Sequence, residues 1–243
     1  QGKGDAGMIE VQNVVKTFDG FRALDGLTMT VPDGSIYGLV GRNGAGKTTL
    51  IRILCALQMP SAGGYTLFGV DSRDKAILQS RRKMGAVVES PAIYQELTAK
   101  DNLLVQYRVL GRKDFGTIPA LLDMVGLGDT GRKKAKNFSL GMRQRLGIAV
   151  AMAGEPELLI LDEPANGLDP QGIIEMRRLL QKLNRDRGVT ILISSHILDE
   201  LSRLATHYGF IDKGRMVEEV PAAQIDESLE AHYMKLMGVD GDE

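Results

Sequence analysis

The segment Gly41-Arg42-Asn43-Gly44-Ala45-Gly46-Lys47-Thr48 constrains this chain more than any other. It fits G-x-x-x-x-G-K-[ST], a spacing in which glycines let the backbone curl so that consecutive N–H groups face inward and hold phosphate oxygens. Lys47 brings a fixed charge toward the outer phosphates of a nucleotide, and Thr48 offers a hydroxyl to Mg²⁺; Thr49 follows directly. The flanks agree with this reading. Ser35 to Val40 is a mostly apolar strand that runs into the loop, and Lys47 to Leu57 repeats Ile51, Leu54 and Leu57 at helical spacing. A helix starting near Lys47 aims the positive end of its dipole at the bound anion. A chance glycine-rich turn is the plain alternative, and the four fixed positions would arise by chance in about 1% of chains of this size.

Strand, glycine-rich turn and helix in that order open an α/β unit. Upstream, Ile9 to Phe18 reads as a strand, Asp19-Gly20 as a hairpin turn, and Leu27, Met29 and Val31 alternate with polar residues. Downstream, Tyr65 to Val70 and Met84 to Glu89 are short strands. Helical patterns then run from Thr98 to Leu110, Thr117 to Val125 and Leu140 to Ala153. After them come a strand at Leu158 to Leu161, a helix from Gln171 to Arg187 closed by Gly188, a strand from Val189 to Ser194 and a helix from Ile197 to Ala205. This β-then-α order predicts a mainly parallel sheet with helices on both faces. Residues 1–7, which precede the first methionine, read as a cloning scar. The expected divisions are 8–89 and 154–220 as two parts of one nucleotide-binding core, 90–153 as a helical insertion, and 221–243 as a C-terminal helix with an acidic tail. The run Glu218, Glu219, Asp226, Glu227, Glu230, Asp240, Asp242 and Glu243 reads as a solvated helix face and frayed end.

Leu158-Leu159-Ile160-Leu161-Asp162-Glu163-Pro164 is an apolar strand that ends in two acids, at the carboxyl edge where open α/β sheets bind ligands. Asp162 can hold Mg²⁺ through water, and Glu163, one residue on, can polarise an attacking water. Two acids at a strand end are common; the phosphate loop is what makes them a site. With 30 Lys+Arg against 31 Asp+Glu the net charge is -1, which gives no electrostatic reason to expect nucleic acid as a partner. Cys55, the single cysteine, sits among Leu and Ile and reads as a small core residue. No apolar run reaches the length of a membrane span.

Asn137-Phe138-Ser139-Leu140-Gly141-Met142-Arg143-Gln144-Arg145 adds a second helix N-terminus able to meet phosphate, with Ser139 as its N-cap. Here the chain resembles the ATP-binding subunits of ABC transporters, whose signature is L-S-G-G-Q followed by basic residues. Ser139 and Gly141 match; Leu140 and Met142 stand in place of the first Gly and the Gln. The resemblance extends over nearly the whole chain from Met8. It implies a P-loop NTPase fold with a RecA-like, mainly parallel sheet, an N-terminal antiparallel β subdomain and a helical insertion. It implies ATP and Mg²⁺ as cofactors, with Phe18 stacking on adenine. Asn166-Gly167-Leu168-Asp169 matches the family's loop after the acidic strand. His196 matches its switch histidine, expected to bond the outer phosphate and the attacking water beside Glu163.

One departure stands out. The family's Gln before the helical insertion is Glu89 here, in Val87-Val88-Glu89-Ser90-Pro91. A Glu at this position is similar to the ATPases of lantibiotic-immunity and bacitracin-resistance exporters, as are Ser139 to Ala149 and Asn166 to Gly172. A carboxylate still ligates Mg²⁺ but donates no hydrogen bond unless protonated. The resemblance further implies that two such subunits face head to tail, each ATP lying between Gly41–Thr49 of one and Ser139–Gly141 of the other. An integral membrane permease then receives the motion at the cytoplasmic face of the cell membrane. Export of an antimicrobial peptide or lipid-like compound is the expected task. A soluble ABC-type ATPase that acts as a nucleotide-gated scaffold or regulator is the alternative.

Overall fold

A computed structural model describes residues 7–238. The first two strands, β1 (Ile9–Phe18) and β2 (Phe21–Val31), form an antiparallel hairpin closed by Asp19-Gly20, as its turn residues predict. β3 (Ile36–Val40), fully buried, leads into the glycine-rich loop and α1 (Lys47–Leu54). The expected continuation of α1 to Leu57 does not occur. Cys55 caps the helix and Ala56 turns left-handed at φ 58°, which ends the ladder.

β4 (Ala62–Leu67) and β5 (Val70–Asp71) follow, so the strand expected from Tyr65 to Val70 is split at Phe68-Gly69. α2 (Ile77–Arg82), an element not forecast above, precedes β6 (Met84–Val87). That strand stops two residues short of Glu89, where φ is 61°. The helical segment comprises α3 (Ala99–Val109), α4 (Ile118–Met124) and α5 (Leu140–Met152). Thr98 caps α3 by accepting the Asp101 N–H at 3.1 Å, as expected from its sequence.

β7 (Leu158–Asp162), α6 (Pro170–Arg187), β8 (Thr190–Ser195) and α7 (Leu198–Ser202) complete the alternation, α7 being shorter than forecast. Two strands follow: β9 (His207–Asp212), where no element was forecast, and β10 (Arg215–Pro221), where a solvated helix face was expected. Glu218 and Glu219 therefore belong to a strand, and both are engaged. Glu219 accepts from the Tyr37 hydroxyl at 2.6 Å and the Thr30 N–H at 2.9 Å, while Glu218 lies 2.6 Å from His232 on α8 (Leu229–Leu236). Asp240, Asp242 and Glu243 lie outside the described residues.

The strands make two sheets. A four-stranded antiparallel sheet runs β2-β1-β4-β5, and a six-stranded sheet runs β10-β9-β3-β8-β7-β6. In the latter β9, β3, β8, β7 and β6 are parallel and β10 is antiparallel. Alternation along its strands separates two cores. Ile36, Leu159, Leu161, Ile191 and Ile193 face α3 to α6; Tyr37, Leu39, Leu158, Ile160 and Leu192 face α1 and the antiparallel sheet. This sandwiching brings the carboxyl ends of β3, β7 and β8 to one edge of the sheet, beside the start of α1. The β9–β10 turn braces that edge. Gly214 donates its N–H to the Ala45 carbonyl in the phosphate loop and accepts from Asp25 of β2, both at 2.9 Å. A Cβ on Gly214 would come 2.5 Å from the Ala23 carbonyl, so only glycine fits. Among the described residues no helix is long and apolar enough to cross a membrane.

Candidate active site

The glycine-rich loop is shaped by contacts that exclude side chains. Gly46 sits at φ 113°, and a Cβ there would meet Leu24 at 2.8 Å and the Ala23 carbonyl at 2.9 Å. Lys47, 5% exposed, opens α1 and folds its ammonium back over the loop. It donates to the Gly41 carbonyl at 2.6 Å and to the Arg42 carbonyl at 3.2 Å. A buried ammonium framed by carbonyls at a helix N-terminus suits an anion in the concavity of the loop. Phe18, Asn43, Gly44, Gly46, Thr48 and Thr49 line a cleft of about 250 Å³ there, which Glu163 also borders. Ala45, nearly buried, lies on the loop's inner side.

Asp162 and Glu163 arrive from β7. Asp162 is buried, and its Oδ1 accepts from the Ser194 hydroxyl of β8 at 2.6 Å. Glu163 adopts a left-handed backbone at φ 51°, a conformation that costs a non-glycine residue about 1 kcal/mol. Two bonds from its N–H hold it there, to the Ser194 hydroxyl at 2.9 Å and the Ser194 carbonyl at 3.2 Å. The turned backbone aims the carboxylate into the site. Oε1 lies 3.3 Å from the Lys47 ammonium, and Oε2 bonds His196 Nδ1. Lys47, Glu163 and His196 thus form one connected charge array at the sheet edge. The same array explains the unusual torsion of Glu163 in physical terms: its backbone strain is offset by the Ser194 bonds, and the side chain is placed between a cation and an imidazole.

Glu89 lies apart from that array. It pairs with Arg52 of α1 and borders a larger cleft of about 530 Å³, shared with Thr48, Asp162 and Glu163. Ser139 caps α5 by accepting the Met142 N–H at 3.2 Å. Its neighbour Leu140 borders the same 530 Å³ cleft, but neither Ser139 nor Gly141 lines it or the smaller one. The first turns of α5 thus reach the cleft through Leu140, Arg143 and Gln144, whereas Ser139 and Gly141 do not line it within one chain. Asp169 caps α6, accepting from the Gly172 N–H at 3.0 Å. Ser194 and Arg52 were not singled out in the sequence. Ser194 left one trace, a hydroxyl at the end of an otherwise apolar strand, Thr190-Ile191-Leu192-Ile193-Ser194.

The donor set fits Mg²⁺ bound with a nucleotide. Mg²⁺ is held by one or two protein oxygens together with phosphates and water rather than by an all-protein cage. The Thr48 hydroxyl and the buried Asp162 carboxylate border one cleft. Among the described residues no cluster of three His, Cys, Asp or Glu offers a cage.

A family profile described as ABC transporter matches residues 24–166. The chain is 46% identical over 216 residues to the bacitracin transport ATP-binding protein BcrA of Bacillus licheniformis, covering 88% of this chain and 70% of that protein. It is 42% identical over 212 residues to the lantibiotic transport ATP-binding protein SrtF of Streptococcus pyogenes, covering 87% of this chain and 90% of that one. The solved structure of cbiO1 from Clostridium perfringens, part of the ABC transporter complex cbiONQ, superposes with a TM-score of 0.81 at 26% identity, over 96% of this chain and 95% of that one.

Proposed function

The chain belongs to the ABC transporter family as an ATP-binding, ATP-hydrolysing subunit, and from that premise we propose that it drives export of an antimicrobial peptide or lipid-like compound through a separate permease. The observation that carries the catalytic part is the array of Lys47, Glu163 and His196 beside the phosphate loop. In this reading the loop N–H groups and Lys47 bind the phosphates of ATP, and Phe18 takes the base. Glu163 accepts the proton of the attacking water, and His196 holds Glu163 and the water in line. Thr48, Asp162 and Glu89 would hold Mg²⁺, which neutralises charge on the phosphates when bound.

That Ser139 and Gly141 line neither cleft within one chain supports the two-subunit reading. A second ATP-binding subunit, identical or homologous, supplies Ser139–Gly141 across the interface, and Asp169 lies at that junction. The names of the bacitracin and lantibiotic relatives support the substrate class. The permease would seat this subunit at the cytoplasmic face of the membrane. The division into 8–89 and 154–220 as core, 90–153 as helical insertion and 221–243 as C-terminal segment belongs to the same reading.

The test is Glu163→Gln. Turnover should fall by about 10²–10⁴-fold while ATP binding persists and an ATP-bound dimer accumulates on size exclusion. Near-normal turnover would overturn the assignment. Affinity purification from native membranes should recover an integral membrane protein with the wild-type chain; recovery of soluble partners alone would overturn the transport role.

A further inference from the structure

Phe18 and Phe21 are direct cross-strand partners at the closed end of the β1–β2 hairpin. Residues paired in this way project to the same face of a sheet. Both rings border the 250 Å³ cleft that contains the phosphate loop. Neither ring is explained by packing: Phe18 is 39% exposed, Phe21 is 65% exposed, and neither belongs to either hydrophobic core. Side by side on one face, the two rings make a contiguous apolar patch at the mouth of the cleft. Phe18 is fixed in place by Lys16, whose ammonium sits 4.9 Å from the ring centroid while it donates to the Met59 carbonyl at 2.8 Å. Beyond the two rings, the cleft is lined by Ala23, by Asn43, Lys47, Thr48 and Thr49 of the loop and α1, and by Glu163. The two rings suit the flat face of a base and carry no hydrogen-bonding group that would read its edge.

We propose that Phe21 is a second base-holding residue, so that Phe18 and Phe21 together grip the nucleobase by stacking. This rests on the reading of the phosphate loop as an ATP site and adds a residue to it. Stacking of this kind is tolerant of base identity, so the two rings would hold adenine and guanine alike. Base–aromatic stacking has a size that makes removal of the Phe21 ring worth about a tenfold loss of affinity, the equivalent of ~1.4 kcal/mol.

The sequence contains no tryptophan, so Phe21→Trp introduces a single indole reporter. Stacking of a base on it should change its emission on titration with a non-hydrolysable ATP analogue, and inorganic tripolyphosphate should leave it unchanged. In calorimetry Phe21→Ala should weaken the ATP and GTP analogues by about tenfold each, leave tripolyphosphate affinity at the wild-type value, and Phe21→Trp should restore the loss. A Phe21→Ala protein that binds the ATP analogue as wild type does overturns the proposal, as does indole emission that responds equally to tripolyphosphate. Failure of the wild-type chain to bind either analogue or tripolyphosphate would instead overturn the underlying reading of the loop.

Discussion

Ser194→Ala isolates the one side chain that ties both acids of the site together. The hydroxyl is fully buried, donates to Asp162 at 2.6 Å and accepts the Glu163 N–H at 2.9 Å. The bond to Asp162 has a charged acceptor, a class worth roughly 1.5–3 kcal/mol, whereas the N–H bond is neutral and is half-replaced by the Ser194 carbonyl, which stays. A total near 2–3 kcal/mol follows, and at about 2–4 °C per kcal/mol for a chain of this size the melting temperature should fall by roughly 4–12 °C. The functional effect is separate. Asp162 loses the bond that orients it, and removal of such an orienting partner typically weakens metal affinity by ~10–100-fold. Thermal unfolding followed by circular dichroism gives the first quantity, and ATPase activity titrated with Mg²⁺ gives the second. A variant with wild-type melting temperature and unchanged Mg²⁺ dependence would refute the argument that Ser194 organises this edge.

Gly209→Ala should be among the most damaging single-methyl changes in the protein. The new Cβ would sit 2.2 Å from the hydroxyl oxygen of Tyr37, a fully buried ring bonded to Glu219, and a loss of at least ~3 kcal/mol is expected in denaturant unfolding. Unfolding at the wild-type midpoint would contradict it. Cys55 should resist alkylation. Burial, and secondarily the charge of Asp162, push its thiol up to about 12, so that near pH 8 it carries far less thiolate than a free cysteine. After allowing for the greater nucleophilicity of a more basic thiolate, labelling of the native protein should be roughly 50-fold slower than of the denatured chain. Equal rates in both states would refute the protection assigned to this half-buried thiol.

The site was legible wherever local chemistry is encoded in neighbours along the chain. The glycine-rich loop, the apolar run ending in Asp162 and Glu163, and the Ser139 and Thr98 caps are each decided by residues within a few positions, and each took its expected form. The misses have a common physical origin. β10 carries an acid-rich composition that reads as a solvated helix, and only tertiary partners reveal the strand: Tyr37 and Thr30 for Glu219, His232 for Glu218. α1 keeps its apolar spacing beyond Leu54, yet the left-handed turn at Ala56 stops it. Ser194 and Arg52 act on residues more than thirty positions away, so their significance exists only after folding. The same holds for Phe21, an ordinary strand residue until the hairpin sets it beside the phosphate loop.

The brace at Gly214 has a consequence for biosynthesis. The phosphate loop is translated before the β9–β10 turn, so its Ala45 carbonyl receives its partner only when that turn has been made. Until Lys213 and Gly214 leave the ribosome, the hairpin of β1 and β2 and the loop beside it lack their common anchor. A nascent chain therefore completes the bracing of its nucleotide cradle only after the 169 residues that separate Ala45 from Gly214 have been added.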